Sequence, residues 1–146
     1  RYGGYFSRGA TSMMARFDYW RAALSVVWRH PLTGSGPGTF MVEYSKVKHP
    51  DAEMARLAHN DYLQQASDSG LPGFVAFLVV TWGIVGWRYR QRLKGEMFWI
   101  WLGVFGLSLQ AWVEFPTHIP GLAWGYFLFL GWLCGSAARK EVSEGF

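Results

Sequence analysis

Apolar residues in the second half of the chain run almost without interruption. Leu71–Trp87, Met97–Val113 and Gly121–Ala138 contain no charged side chain, and a helix needs roughly 17–25 such residues to cross a bilayer. A helix of a soluble bundle would keep a polar stripe on its wet face, and these stretches have almost none. The pattern therefore predicts three transmembrane helices, at 71–87, 97–113 and 121–138. The first 70 residues read differently. Arg1 to Ala10 has no periodicity and is expected to be loop. From Ser12 to Arg29, Phe17, Trp20, Leu24, Val27 and Trp28 recur on one helical face, with Asp18, Ser25 and Arg29 opposite. His30-Pro31 ends that helix, because the residue before proline is pushed out of the α region. Pro31 to Gly38 is expected to turn. A second helix is expected from Pro50 to Ser69, with Asn60 a possible break, Gly70 a cap and Pro72 opening the first span.

Charge adds an orientation. Arg88, Arg90, Arg92 and Lys94 crowd the first link between spans, whereas Glu114 to Pro120 has neither Lys nor Arg. Cationic loops stay in the cytoplasm, so residues 1–70 are expected on the outer face, with 139–146 as a cytoplasmic tail. Trp87, Phe98, Trp99, Trp112 and Trp124 fall near the span ends, as interfacial rings do. Composition agrees: 51% hydrophobic and 18% aromatic residues with one Cys exclude disorder, collagen and a disulfide scaffold. The single Cys134 falls inside the third span. The expectation is an all-α polytopic membrane protein with an external helical segment. Because the chain opens on Arg1 with no signal or earlier span to carry its polar segment outwards, an N-terminal transmembrane part is expected to be missing. No internal repeat is visible.

The external segment holds the candidate chemistry. His59 stands before Asn60 just ahead of a membrane entry, and imidazole titrates where a general base must; the same pair also suits an ordinary helical surface. Arg16, Arg21 and Arg56 could hold an anionic group or simply sit at the lipid headgroups. Asn60 could orient His59, accept a sugar hydroxyl or cap a helix. Asp51 and Glu53 could suggest a metal pair, but two residues apart on a helix they diverge, and only an extended loop would bring them to one face. Gly34, Gly36 and Gly38 could form an anion nest, although a tight turn explains them as well. Glu114 and His118 share the outer link, either anchoring it or facing a groove.

His59-Asn60, nine residues, then Gly70-Leu71-Pro72-Gly73 resembles the signature of the bacterial O-antigen ligase family. Upstream, Arg16-x-x-x-Trp20, Pro31-Leu32 and Gly34-Ser-Gly36-Pro-Gly38-Thr-Phe40 resemble the ligase and polymerase superfamily in order and spacing. Phe74-Val75 stands where lipopolysaccharide ligases often carry two Thr, which leaves the acceptor open. The resemblance implies a glycosyltransferase of lipopolysaccharide biosynthesis in the bacterial inner membrane, with its site facing the periplasm. It would move a glycan from an undecaprenyl-pyrophosphate carrier to the hydroxyl of a lipid A-core-like glycolipid or another acceptor. It implies no metal or other cofactor and no nucleic acid partner. His59 would then be catalytic, Arg16 would bind the pyrophosphate, and Asn60, Arg21 and Arg56 are further substrate-binding candidates. A polymerase or a protein O-glycosylating ligase shares this layout. A membrane carrier of an anionic substrate is the alternative of another class.

Overall fold

The helical periodicity around Trp20 is realised in a helix longer than expected. In a computed structural model, which describes residues 3–50 and 52–144 and the side chains of 13–50 and 52–136, α1 spans Gly3–Arg29. Gly3 to Ala10, read from sequence as loop, is therefore helical. Its C-terminus is closed by His30 N–H on Val26 O at 2.9 Å, and Pro31 then turns the chain away. The short α2, Phe40–Val47, was not expected. It buries only Phe40 and Tyr44, stacked one turn apart at 5.8 Å, while Met41, Val42 and Val47 stay exposed, so its apolar pattern points both ways.

Of the helix expected from Pro50 to Ser69, only the part after Asn60 forms. Residues 52–60 are irregular, and helix resumes only at α3, Asp61–Leu78. Asn60 makes the start: its Oδ1 accepts Leu63 N–H at 3.0 Å, and its carbonyl takes Gln64 N–H at 2.9 Å. Gly70 lies inside α3 with φ 68° and ψ −174°, so the helical runs on its two sides meet at a kink, and Pro72 stands in the first turn of the second run. A π-helical turn, Val79–Gly83, follows, then α4, Ile84–Arg90, α5, Glu96–Gln110, a 3₁₀ turn, Pro116–His118, and α6, Pro120–Glu144. Among the described residues there is no strand. The continuous stretch Asp61–Arg90, which contains the expected first span, is long and apolar enough to cross a membrane; among the described residues no other helix meets that test. The expected second span corresponds to the 15-residue α5, and the third lies within α6. The side chains of the expected tail, Arg139 and Lys140 included, fall outside the described residues.

The chain divides into two compact units, Arg1–Val75 and Ala76–Phe146. The first packs Tyr19, Ala22 and Ala23 of α1 against Phe40, Tyr44, Ala55 and Ala58. The second packs Val85, Trp101, Val104, Tyr126, Leu130 and Leu133. Trp101 donates to Val85 O at 2.9 Å, and Ser108 and Tyr126 share a hydrogen bond of 2.9 Å. Arg88 bonds Gln91 and reaches Ser136 of α6 at 3.1 Å. The outward faces of this unit stay apolar at Val79, Trp99, Trp124 and Leu128, as a lipid-facing surface would.

In the first unit, Glu43 joins α2 to α1. Lys46 Nζ donates to it at 2.6 Å and Arg29 lies at 3.3 Å. The Lys46 hydrogen bond, outweighing partial desolvation and aided by the charges of Lys46 and Arg29, holds the carboxyl below its ordinary value near 4.5. A depressed carboxyl pKa stabilises the fold above the unfolded value, and that contribution disappears as pH falls through the folded one. Glu43→Gln is expected to lower the melting temperature at neutral pH and to melt with the parent once both are acidified well below about pH 4. The effect should be small, because both cations are exposed. A gap that persists in acid would remove the ion pair as its cause.

Candidate functional site

The irregular segment 52–60 carries His59 back onto α1. Its ring stacks on Tyr19 at 5.7 Å and 28°, and Trp20 Nε1 donates to the His59 carbonyl at 3.4 Å. His59 has φ 51°, the left-handed region that costs a non-glycine residue about 1–2 kcal/mol. It persists because both neighbours are fixed. Ala58 N–H, immediately before it, donates to Gln64 Oε1 at 2.8 Å; Asn60, immediately after, is buried as the α3 cap. Gln64 in turn donates through Nε2 to Asp68 Oδ1 at 2.9 Å, one helical turn on, and both side chains are buried. Strain held in place by buried hydrogen bonds is characteristic of functional positions.

Tyr19 is also edge-on to Tyr44 at 5.2 Å. Burial first, then the negative charges of Glu53 and Asp18, push the Tyr19 phenol above its ordinary range; burial does the same for Tyr44. Both stay protonated.

The structure separates the candidate arginines. Arg16 is one turn before Tyr19 and Trp20, on the α1 face that meets His59, because residues three and four apart share a face. Arg21 is turned away from that face and lines a cavity of about 570 Å³ with Asp18, Ser25, Tyr44, Lys48 and His49. Arg56 is exposed in the irregular segment. Glu53 lies in loop rather than helix, and its partner Asp51 falls outside the described residues. Among the described residues no group of His, Cys, Asp and Glu is arranged to hold a metal ion. Glu114 and His118 belong to the second unit.

The glycines form a clasp. Gly34, Gly36 and Gly38 all have positive φ, and the amides of Ser35 and Gly36 donate to the carbonyls of Ser67 and Asp68 at 2.8 and 3.0 Å. Leu71 N–H returns a bond to Pro31 O at 2.7 Å. The turn thus satisfies backbone groups that the break at Gly70 would orphan, and its Ser35 and Gly36 amides are spent on protein carbonyls. A Cβ at Gly70 would lie 2.5 Å from Leu32 C, and one at Gly73 would lie 2.4 Å from Ser69 Cβ. Tyr19, Gln64 and Asp68 were not expected at the site. Gln64 and Asp68 left one readable trace, a polar pair four residues apart on a helix of otherwise mixed character.

The O-antigen ligase family model matches residues 6–78, which contain Arg16, His59, Gln64 and the glycine clasp, and the chain belongs to that family. This is a family of membrane proteins associated with O-antigen and lipopolysaccharide biosynthesis, with ligase activity of the glycosyltransferase kind on lipid-linked glycans. Searches of curated proteins and of solved structures give no match.

Proposed function

We propose that the chain carries the transfer site of a ligase that moves a glycan from an undecaprenyl-pyrophosphate carrier to an acceptor hydroxyl, such as that of a lipid A-core-like glycolipid. The site faces the periplasm from the inner membrane, with three spans and a cytoplasmic first link. The observation that carries this reading is the strained His59, held by Gln64, Asn60 and Trp20 on the α1 face that bears Arg16. With Nδ1 buried, Nε2 is the nitrogen through which the ring takes a proton. The acceptor oxygen attacks the anomeric carbon while its proton passes to His59. The bond from that carbon to the pyrophosphate oxygen breaks, and the leaving group departs with the electron pair and an added negative charge. Arg16 offers a planar fork of donors to that charge. Arg21 and Arg56 are outlying contacts with the same donor chemistry, and Asn60 shapes the backbone that presents His59. No metal takes part.

Transfer from a lipid-linked donor in proteoliposomes, run with the complete protein in excess chelator, tests this. His59→Gln keeps polarity and approximate size but cannot accept a proton, and it is expected to lose about 10²–10⁴-fold in turnover with donor binding intact. Arg16→Ala should weaken donor binding as well, and Arg16→Lys should restore only part, because an ammonium lacks the fork. Near-normal turnover by His59→Gln would make the histidine structural, and donor binding without any transfer by the parent protein would favour the anion-carrier reading.

A further inference from the structure

The end of the Asp61–Arg90 stretch holds a second polar feature, unconnected with His59. Between α4 and α5 the chain reverses through two left-handed residues, Arg92 with φ 49° and Gly95 with φ 58°. The reversal opens a cavity of about 360 Å³ lined by Tyr89, Arg90, Arg92, Leu93, Phe98 and Trp101. Its wall is aromatic: Trp101 stacks on Tyr89 at 5.5 Å and on Phe98 at 6.3 Å. Its charge is all of one sign. Glu96 opens α5, but it lies 140–200° around that helix from Phe98 and Trp101 at about 100° per residue, and so faces away. Arg88, two residues before Arg90, is buried and bonded to Gln91 and Ser136, which leaves Arg90 and Arg92 as the cations of the cavity.

Two guanidiniums over an apolar floor, at the terminus of an apolar stretch long enough to cross a bilayer, match a molecule with a phosphate at one end and hydrocarbon beside it. We infer that this cavity is a binding site for the headgroup of an anionic phospholipid, its phosphodiester held by Arg90 and Arg92 and its glycerol end lying against Phe98 and Trp101. Basic pockets between transmembrane helices take such headgroups, and each cation near the surface contributes about a fivefold gain in affinity. Forked donors favour the phosphate oxygens over a choline or ethanolamine cation. The inference requires only that Arg90 lie at headgroup depth and is independent of the transfer chemistry.

Spin-labelled phosphatidylglycerol and spin-labelled phosphatidylcholine, compared by electron paramagnetic resonance around the complete protein in phosphatidylcholine vesicles, provide the test. The anionic probe is expected to associate several-fold more strongly. Arg90→Gln with Arg92→Gln should abolish the preference, while Lys94→Gln, which removes one charge from the same link outside the cavity, should leave it. Arg90→Gln and Arg92→Gln made singly should each lower it, and these single variants decide the matter if the double variant fails to assemble. Equal association of the two probes overturns the inference. So does an equal loss in Lys94→Gln, which would indicate a diffuse basic field, and so does displacement of the lipid by excess inorganic phosphate, which would make a soluble anion the ligand.

Discussion

Gly34→Ala is expected to cost about 3–5 kcal/mol, a large part of the stability of a small domain. The added Cβ would stand 2.4 Å from Asp68 C and 2.6 Å from Ser67 O, both backbone atoms that cannot swing aside, at a φ of 65°. Relief requires the turn to lift off α3, which breaks the bonds from Ser35 and Gly36. Gly38→Ala is the matched control. It has the same left-handed backbone, φ 74°, but nothing within 4 Å of the new atom, so only the conformational term of about 1 kcal/mol applies. Thermal unfolding of both variants, followed by circular dichroism, separates the steric from the conformational contribution. Equal, mild losses would mean that the clasp does not hold the turn to α3.

Gln64→Leu is expected to reduce glycan transfer by about 100-fold, the order of loss that follows when a reacting group is misplaced by an ångström. The leucine fills similar space but strands Ala58 N–H and removes the hydrogen bond from Gln64 to Asp68 Oδ1, and the left-handed His59 loses the anchor on its N-terminal side. The loss should fall on kcat, with KM for the lipid-linked donor little changed. A residue that served folding alone would lower the melting temperature and leave kcat of the folded fraction normal, and that outcome would remove Gln64 from the site.

How much of this was legible in the sequence depended on which residues supplied the signal. α1 was readable because Trp20, Leu24, Val27 and Trp28 repeat at helical spacing. Gly70 and Pro72 were readable as punctuation, since glycine and proline restrict the backbone in ways that neighbours rarely override. His59 and Asn60 were visible through the family signature, and Asn60 does start a helix. The segment 52–60 misled because Ala, Met, Leu and Arg favour helix locally. Tertiary contacts overrule them: Ala55 and Ala58 are buried, Lys48 Nζ donates to the carbonyls of His49, Pro50 and Ala52, and Gln64 captures Ala58 N–H. Local preference set against global structure is found where function imposes a shape. The clasp was invisible for another reason. Its principal bonds join backbone to backbone, so no side-chain pattern could announce that residues 31–36 meet 67–71.

The π turn at Val79–Gly83 works as a phase adjuster. Thr81, buried there, returns its hydroxyl to Phe77 O at 2.8 Å, and the widened turn accommodates one residue more than an α-helix would. Each residue of α-helix advances the side chains by about 100° and 1.5 Å. The extra residue therefore sets the azimuth at which α4 leaves the turn, and with it the direction of Val85 into the core and of Arg88 toward Ser136. Shortening this turn by one residue would leave every side chain of α4 chemically unchanged and aim all of them a quarter-turn away from their partners.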